Sequence, residues 1–352
     1  MRRVLVTGAG GYIGTTLVPM LLEKGCRVRA VDRFFFGRER LPVHDHLEAV
    51  QEDVRLLAPE HFTDVDAVID LAAISNDPSG ELFRETTWAV NHAARVRCAR
   101  LAKMAGVRRY VLPSSCSLYG WLPDERIADE DSPANPLTTY ARANEKAEEG
   151  VLPLADERFC VVVLRQATVY GWSPRMRFDL AINGMTYGAW KTGRLPLMRD
   201  GSQWRPMIHV KDTASAQALM LELPTDRING RRFNVGSPQN TYRIRDLADI
   251  VSAAMARPVE IEWYGDPDHR SYRVAFDRIG ALGWRAEHTA EEGVSEIAER
   301  LEAGTLDRTT DTITLEWYKT LQRWHRIIHK LEMYGGILDL DAPADSSVVG
   351  RA

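Results

Sequence analysis

The run Thr7-Gly-Ala-Gly-Gly-Tyr-Ile-Gly14 sets glycines at 8, 11 and 14, a GxxGxxG spacing. Glycine allows a tight turn and lets backbone N–H groups approach a ligand closely. A helix starting here would add free N–H donors and a positive dipole end, which is what a pyrophosphate requires. The matching second feature is an acidic residue closing the next strand, and Asp32 stands there. Its carboxylate would accept hydrogen bonds from an adenosine ribose and repel a 2′-phosphate, favouring NAD over NADP, with Arg33 beside it pulling the other way. A turn that needs glycine for its conformation alone would carry the glycines without this strand, helix and aspartate around them.

Other chemistry-bearing groups are more ambiguous. The loop Ser75-Asn-Asp-Pro78 follows an apolar stretch, at the position where open parallel sheets bind ligands. Asp77 could hold sugar hydroxyls or a divalent cation such as Mg or Mn, or be a turn-forming residue before proline. His325 and His329 have the i, i+4 spacing of a zinc pair, but no glutamate follows His325, and a helix-surface role is expected. His44-Asp-His46 lies among loop residues and reads as solvated. Cys26, Cys98, Cys116 and Cys160 are scattered with no CxxC pair, which argues against a zinc site or a disulfide framework. A reducing, cytoplasmic setting fits them.

Short apolar runs at 3–7, 26–31, 47–51, 67–72, 110–113 and 159–164 read as strands, and 12–23, 88–105 and 140–154 read as helices between them. The fold class expected is α/β: a Rossmann doubly wound parallel sheet whose strands are buried on both faces. Beyond residue 170 the chain is rich in Arg, Gly and Trp. A helix at 212–223 and a strand at 232–235 read as a return to the main sheet. The expected division is a dinucleotide-binding unit of 1–170 plus about 209–238 and an interleaved substrate unit of about 171–208 and 239–335, with 336–352 a mobile tail. A 45% hydrophobic composition leaves room for a sizeable core. The formal charge of -4, with both signs interspersed, gives no footprint for nucleic acid or an anionic membrane. No stretch approaches the ~20 apolar residues that span a bilayer.

With these motifs assembled, the chain resembles an extended short-chain dehydrogenase/reductase of the sugar-nucleotide epimerase/dehydratase family. The resemblance rests on TGAGGYIG, Asp53, DLAA at 70–73, Asn91, SSCSLYG at 114–120, Tyr140, LRQATVYG at 164–171, SPRMRFDL, WRPMIHVKD, FNVGS and Arg270. It implies a nucleotide-diphosphate sugar as substrate and NAD bound by Gly8, Gly11, Gly14, Tyr12, Ile13, Asp32, Asp53, Leu71, Ala72, Ala73 and Asn91. It implies Ser115 and Tyr140 on a sugar hydroxyl, with the tyrosine as base. Arg205, Arg270 and Asn183 match diphosphate-binding positions, Arg175 and Arg177 sit at the junction of the two units, and His209 lies beside the substrate channel as a weak metal candidate with Asp77. It also implies a homodimer through the helices near Trp88 and Tyr140.

Two departures stand out. The family's lysine four residues after the tyrosine is Asn144 here, and Lys146, two residues on, is about 200° around a helix from that position. A tyrosine needs a nearby cation to come down from its reference pKa of ~10. The acid–base pair of the family's dehydratases is replaced by Cys116 and Ser117; Cys116 is a candidate acid or base, or an inert buried thiol. The first departure tilts the expectation toward a redox-silent sugar-nucleotide isomerase, a pyranose–furanose mutase aided by a metal ion. The alternative is an NAD-dependent epimerase working through a transient keto sugar, followed by a reductase and a non-catalytic NAD-binding protein.

Overall fold

The structure is a computed structural model and describes residues 1–123, 126–198, 200–265 and 270–332; the expected tail at 336–352 lies outside the described residues. Seven parallel strands form the main sheet: β1 (Arg3–Thr7), β2 (Arg27–Asp32), β3 (Leu47–Gln51), β4 (Ala67–Asp70), β5 (Arg109–Ser115), β6 (Cys160–Gln166) and β7 (Arg231–Val235). Their order is β7-β6-β5-β4-β1-β2-β3. This is the doubly wound sheet expected from the sequence. The chain reverses direction across the sheet between β1 and β4, and that switch point is where such sheets open a crevice for ligands.

Both faces of the sheet are covered, which is why its strands are apolar throughout. Successive side chains of β1 divide between the two faces: Val4 and Val6 join one core cluster and Leu5 the other. Val162 and Leu164 of β6 oppose Val161 and Val163 in the same way. On one face lie helices α1 (Gly14–Glu23) and, later in the chain, α5 (Val210–Leu219). On the other lie α2 (Arg95–Met104) and α3 (Thr139–Val151). A helical segment, Arg84–Trp88, and a π-helical turn, Ala89–Ala94, run directly into α2, so this arm starts four residues earlier than expected. Thr138 caps α3 by accepting from the Ala141 N–H at 3.2 Å. The expected strand 67–72 stops at Asp70, because the next residues peel away to line a cavity.

After β6 the chain builds a smaller three-stranded sheet from Thr168–Tyr170, Trp204–His209 and Thr241–Arg243. A parallel pair, Arg194–Met198 with Glu260–Tyr264, and helices α4 (Ala181–Thr192) and α6 (Ala290–Glu302) share its apolar core. The last described element is α7 (Thr314–Glu332). No described helix is long and apolar enough to cross a membrane.

Candidate active site

A cavity of about 1060 Å³ opens over the carboxyl ends of the main-sheet strands. Gly8, Gly11 and Gly14 line it, as do Arg205 and Arg270. At the glycines the close approach is literal. Gly8 has φ +66°, and a Cβ there would lie 2.7 Å from the Ala72 nitrogen. A Cβ on Gly14 would lie 2.5 Å from the carbonyl oxygens of Gly8 and Ala9. Any other residue at either position would push the loop off the sheet and close the cradle.

Asp32 lines the cavity, and its carboxylate accepts the Gly10 and Phe34 N–H groups at 3.0 and 2.7 Å. Burial pushes this carboxyl above the usual range, opposed by those two N–H bonds. Asp53 is clasped by Arg55 and Arg33, at 2.6 and 2.8 Å, and Arg55 above all holds its pKa well below the usual range. Arg33 is therefore engaged by a carboxylate. Ile13, Leu71, Ala72 and Ala73 line the cavity directly, as does Tyr12, whose hydroxyl donates away from it to the Gly171 carbonyl at 2.5 Å. Asn91 does not line the cavity. Its amide holds the Ile74 backbone from both sides, at 2.8 and 3.0 Å, and so shapes the lining loop.

Arg175 is 3% exposed and lines the cavity. It stacks over the Phe36 ring at 3.7 Å and donates to Thr314 Oγ1 at 2.9 Å, while its Nε has no partner. Burial, with Arg177 nearby, pushes its pKa down to about 9. A buried cation in the lining of a cavity, with no carboxylate bonded to it, favours an anion there. The glycine cradle, Asp32 and this guanidinium together fit a dinucleotide.

β5 delivers Ser115 and α3 delivers Tyr140, and both line the cavity. Burial raises the phenol's pKa; Arg95 and the Ser115 hydroxyl oppose this most, Arg177 also lowers it, and Asp77 raises it. Asn144, expected at the site, does not reach it. It is 1% exposed, donates from Nδ2 to the Tyr140 carbonyl at 2.9 Å, and accepts Nη1 of Arg95 at 2.8 Å. Cys116 also turns inward: it is fully buried, bonded to the Arg165 carbonyl at 3.2 Å, and burial pushes its thiol far up, so it is unsuited to acid–base work.

Asp77 accepts Thr138 Oγ1 at 2.7 Å and forms an ion pair with Arg270, joining the two sides of the cavity. Arg205 lines the wall beside them and donates to the Trp204 carbonyl at 2.9 Å. Arg177 also lines it, paired with Asp179 at 2.9 and 3.1 Å. Two expectations change here. Asn183 is completely buried off the cavity, its amide committed to the Gly171 N–H (2.9 Å), the Arg177 carbonyl (2.9 Å) and Tyr12 Oη (3.1 Å); it braces the junction rather than meeting a diphosphate. His209 caps α5, contacts Glu296 at 3.2 Å and stacks on His288 at 4.5 Å, also off the cavity. Among the described residues no three His, Cys or carboxylate side chains converge as a metal site.

The family model for the NAD dependent epimerase/dehydratase family matches residues 4–236. The chain belongs to that family. It is 31% identical over 318 residues to a UDP-glucose 4-epimerase of Mycolicibacterium smegmatis, spanning 84% of this chain and 97% of that protein. It is 25% identical over 312 residues to UDP-glucuronic acid decarboxylase 1 of Danio rerio, spanning 85% and 72%. Among solved structures, MoeE5 in complex with UDP-glucose and NAD superposes with a TM-score of 0.76 at 26% identity, over 86% of this chain and all of that one.

One wall of this epimerase/dehydratase cavity lies outside the matched segment and was missed by sequence reasoning. Tyr318, Leu321, Gln322 and His325 of α7 all line it. Trp317 Nε1 donates to the Phe35 carbonyl at 2.5 Å, and an Arg40–Asp311 ion pair fastens the approach to the helix. Tyr318 sits among Phe35, Phe36 and Phe83, with ring centroids 5.9–6.4 Å apart. The signal was available: positions 318, 321, 322 and 325 fall on one helical face. Their mixed polarity hid it; His325 is exposed, as expected, and also lines the cavity.

Proposed function

We propose that this chain is an NAD-dependent epimerase acting on a nucleoside-diphosphate hexose, a UDP-hexose first among them, through a transient keto sugar. The observation that carries the reading is that the Ser115 and Tyr140 hydroxyl residues line the same cavity as the glycine cradle and the Arg205 and Arg270 guanidinium groups. A hexose whose diphosphate meets those arginines would present a ring hydroxyl to this pair. Bound NAD supplies the hydride acceptor and donor. Tyr140 takes the hydroxyl proton as the alcohol becomes a ketone and returns it on reduction, while Ser115 holds the oxygen in place.

The mutase expectation rested on the loss of a cation beside Tyr140 and on an assisting metal. Arg95, bonded to Asn144, is a cation beside the Tyr140 helix and weakens the first reason. The relative at 31% identity, a UDP-glucose 4-epimerase, supports the epimerase alternative. A dehydratase would need an acid and a base where Cys116 and Ser117 stand. Pairing as a homodimer through the helical arm at Trp88 and α3 belongs to the same proposal, and light scattering tests it.

The deciding experiment incubates the protein with UDP-, dTDP- and GDP-hexoses and NAD and identifies products by NMR. An inverted ring carbon, with a primary isotope effect when that carbon carries deuterium, is the expected result. A change of ring size with no isotope effect would restore the mutase, and CO2 released from a UDP-hexuronic acid would point to a decarboxylase.

A further inference from the structure

We propose that Arg95, held by Asn144, is the positioning residue that supplies positive charge behind Tyr140, from a neighbouring helix rather than from the helix of the tyrosine itself. Asn144 stands four residues after Tyr140 and so lies one turn along the same face of α3. Its Nδ2 bonds the Tyr140 carbonyl, which leaves Oδ1 to accept from Arg95. The guanidinium is thereby fixed beside position 144, where the family's lysine would carry its charge. Lys146 takes no part: it pairs with Glu149 at 2.6 Å on the exposed side of the helix.

The other acceptors on Arg95 decide how much charge it keeps. Nε donates to the Ala72 carbonyl and Nη2 to the Asp70 carbonyl, each at 3.2 Å. All three acceptors are neutral oxygens. The nearby Asp70 carboxylate is bonded instead to the hydroxyls of Thr7 and Tyr110, each at 2.5 Å. Arg95 is 2% exposed, so little water screens it. It directly follows the π-helical turn Ala89–Ala94, and Asn91 and Arg95, four apart, both point into the protein to grip the segment 70–74. π-turns of this kind are frequent at functional sites.

The groups facing Tyr140 are Arg95 from α2, Ser115 from β5, Asp77 from the short helix Asp77–Leu82, and Arg177 from the loop after β6. Glu81 on the same short helix is spent on the Thr139 N–H at 2.7 Å. Asp77 and Arg177 carry opposite charges and each is already paired, with Arg270 and Asp179. Arg95 is the member of the set with no carboxylate bonded to it.

The importance of this charge for turnover rests on the reading of Tyr140 as proton acceptor, so the test reads ionisation directly. Difluorotyrosine is placed at position 140 of the full chain with NAD added, and its ionisation is followed by 19F NMR. Arg95→Gln and Arg95→Met keep the volume but remove the charge, and each should move the midpoint up by about one pH unit or more. Arg95→Lys should stay near the parent. The double variant Arg95→Gln/Asn144→Lys, which relocates the charge, should bring the midpoint back. A clamp without electrostatic effect would make Lys and Gln behave alike, and a midpoint unmoved in the folded neutral variants would overturn the proposal. Product analysis separates the two claims: a moved midpoint without epimerisation keeps the charge role and sinks the epimerase, and epimerisation with an unmoved midpoint does the reverse.

Discussion

Arg165 and Arg95 are both buried against α3, the helix that carries Tyr140, and the protein treats them in opposite ways. Arg165 meets Glu148 through three contacts of 2.8–3.2 Å and the Tyr119 hydroxyl at 3.0 Å. Glu148 in turn accepts Ser114 Oγ at 2.6 Å and Arg232 at 3.0 Å, tying β5, β6 and β7 to the helix. Arg95 makes three bonds, all to neutral oxygens. A neutralised guanidinium holds elements together and leaves little field around it. One bonded to carbonyls and an amide holds elements together and still acts on a phenol.

The comparison can be broken most severely at Glu148. Glu148→Ala strands Arg165 as a buried charge and should cost roughly 3–5 kcal/mol in urea unfolding. The Tyr140 midpoint should hardly move in the folded fraction, and a loss under about 1 kcal/mol would show that Arg165 is not neutralised as described. Asn144→Lys is the next largest. A lysine there, although it restores the family pattern, would face Arg95 with no anion between them and should destabilise the fold by about 2–3 kcal/mol. Adding Arg95→Gln should recover most of that, so a double-mutant cycle reads the repulsion directly.

A second contrast lies two residues apart in sequence. Arg177 has Asp179, whereas Arg175 has no carboxylate bonded to it. Burial alone would raise the Asp179 carboxyl, but Arg177 holds it down to about 2. A carboxyl lowered on folding adds stability that is fully present above its unfolded pKa, near 3.8, and lost as pH falls toward 2. The shift corresponds to about 2 kcal/mol. Unfolding curves collected from pH 5 to pH 2 should therefore show wild type losing its advantage over Asp179→Asn across that window; a constant gap would mean the pair carries no such linkage.

The glycine cradle and the sheet were legible because they are local: three glycines, the apolar runs and Asp32 sit within one strand–helix–strand unit. Asn144 was legible as a departure but not as half of a pair. Its partner lies 49 residues upstream, and only the register set by the π-turn and the packing of α2 on α3 brings them together. Asn183 misled for a related reason. It carries a polar group suited to a ligand and spends it on the Gly171 junction, whose backbone N–H would otherwise be buried without a partner. The α7 wall escaped because the helix follows the last motif that resembles the family.

Arg175 gives the smallest effect and the cleanest sign. Most buried charges lose stability when truncated because a partner is left behind, but here the guanidinium itself is the uncompensated group, with its Nε buried and unbonded among the described residues. Arg175→Met keeps an apolar stem, gives up the guanidinium's stacking on Phe36 and removes a charge that burial disfavours, so stability without ligand should hold or rise. Binding should move the other way. If the cavity takes an anion at this point, loss of a charge-assisted contact should weaken NAD by about 1.5 kcal/mol, roughly tenfold in Kd. Calorimetry with NAD, and separately with a UDP-hexose, tells which anion Arg175 serves. A variant that loses stability while binding both ligands as tightly as wild type would make Arg175 a structural residue like Arg165 and erase the contrast with Arg177.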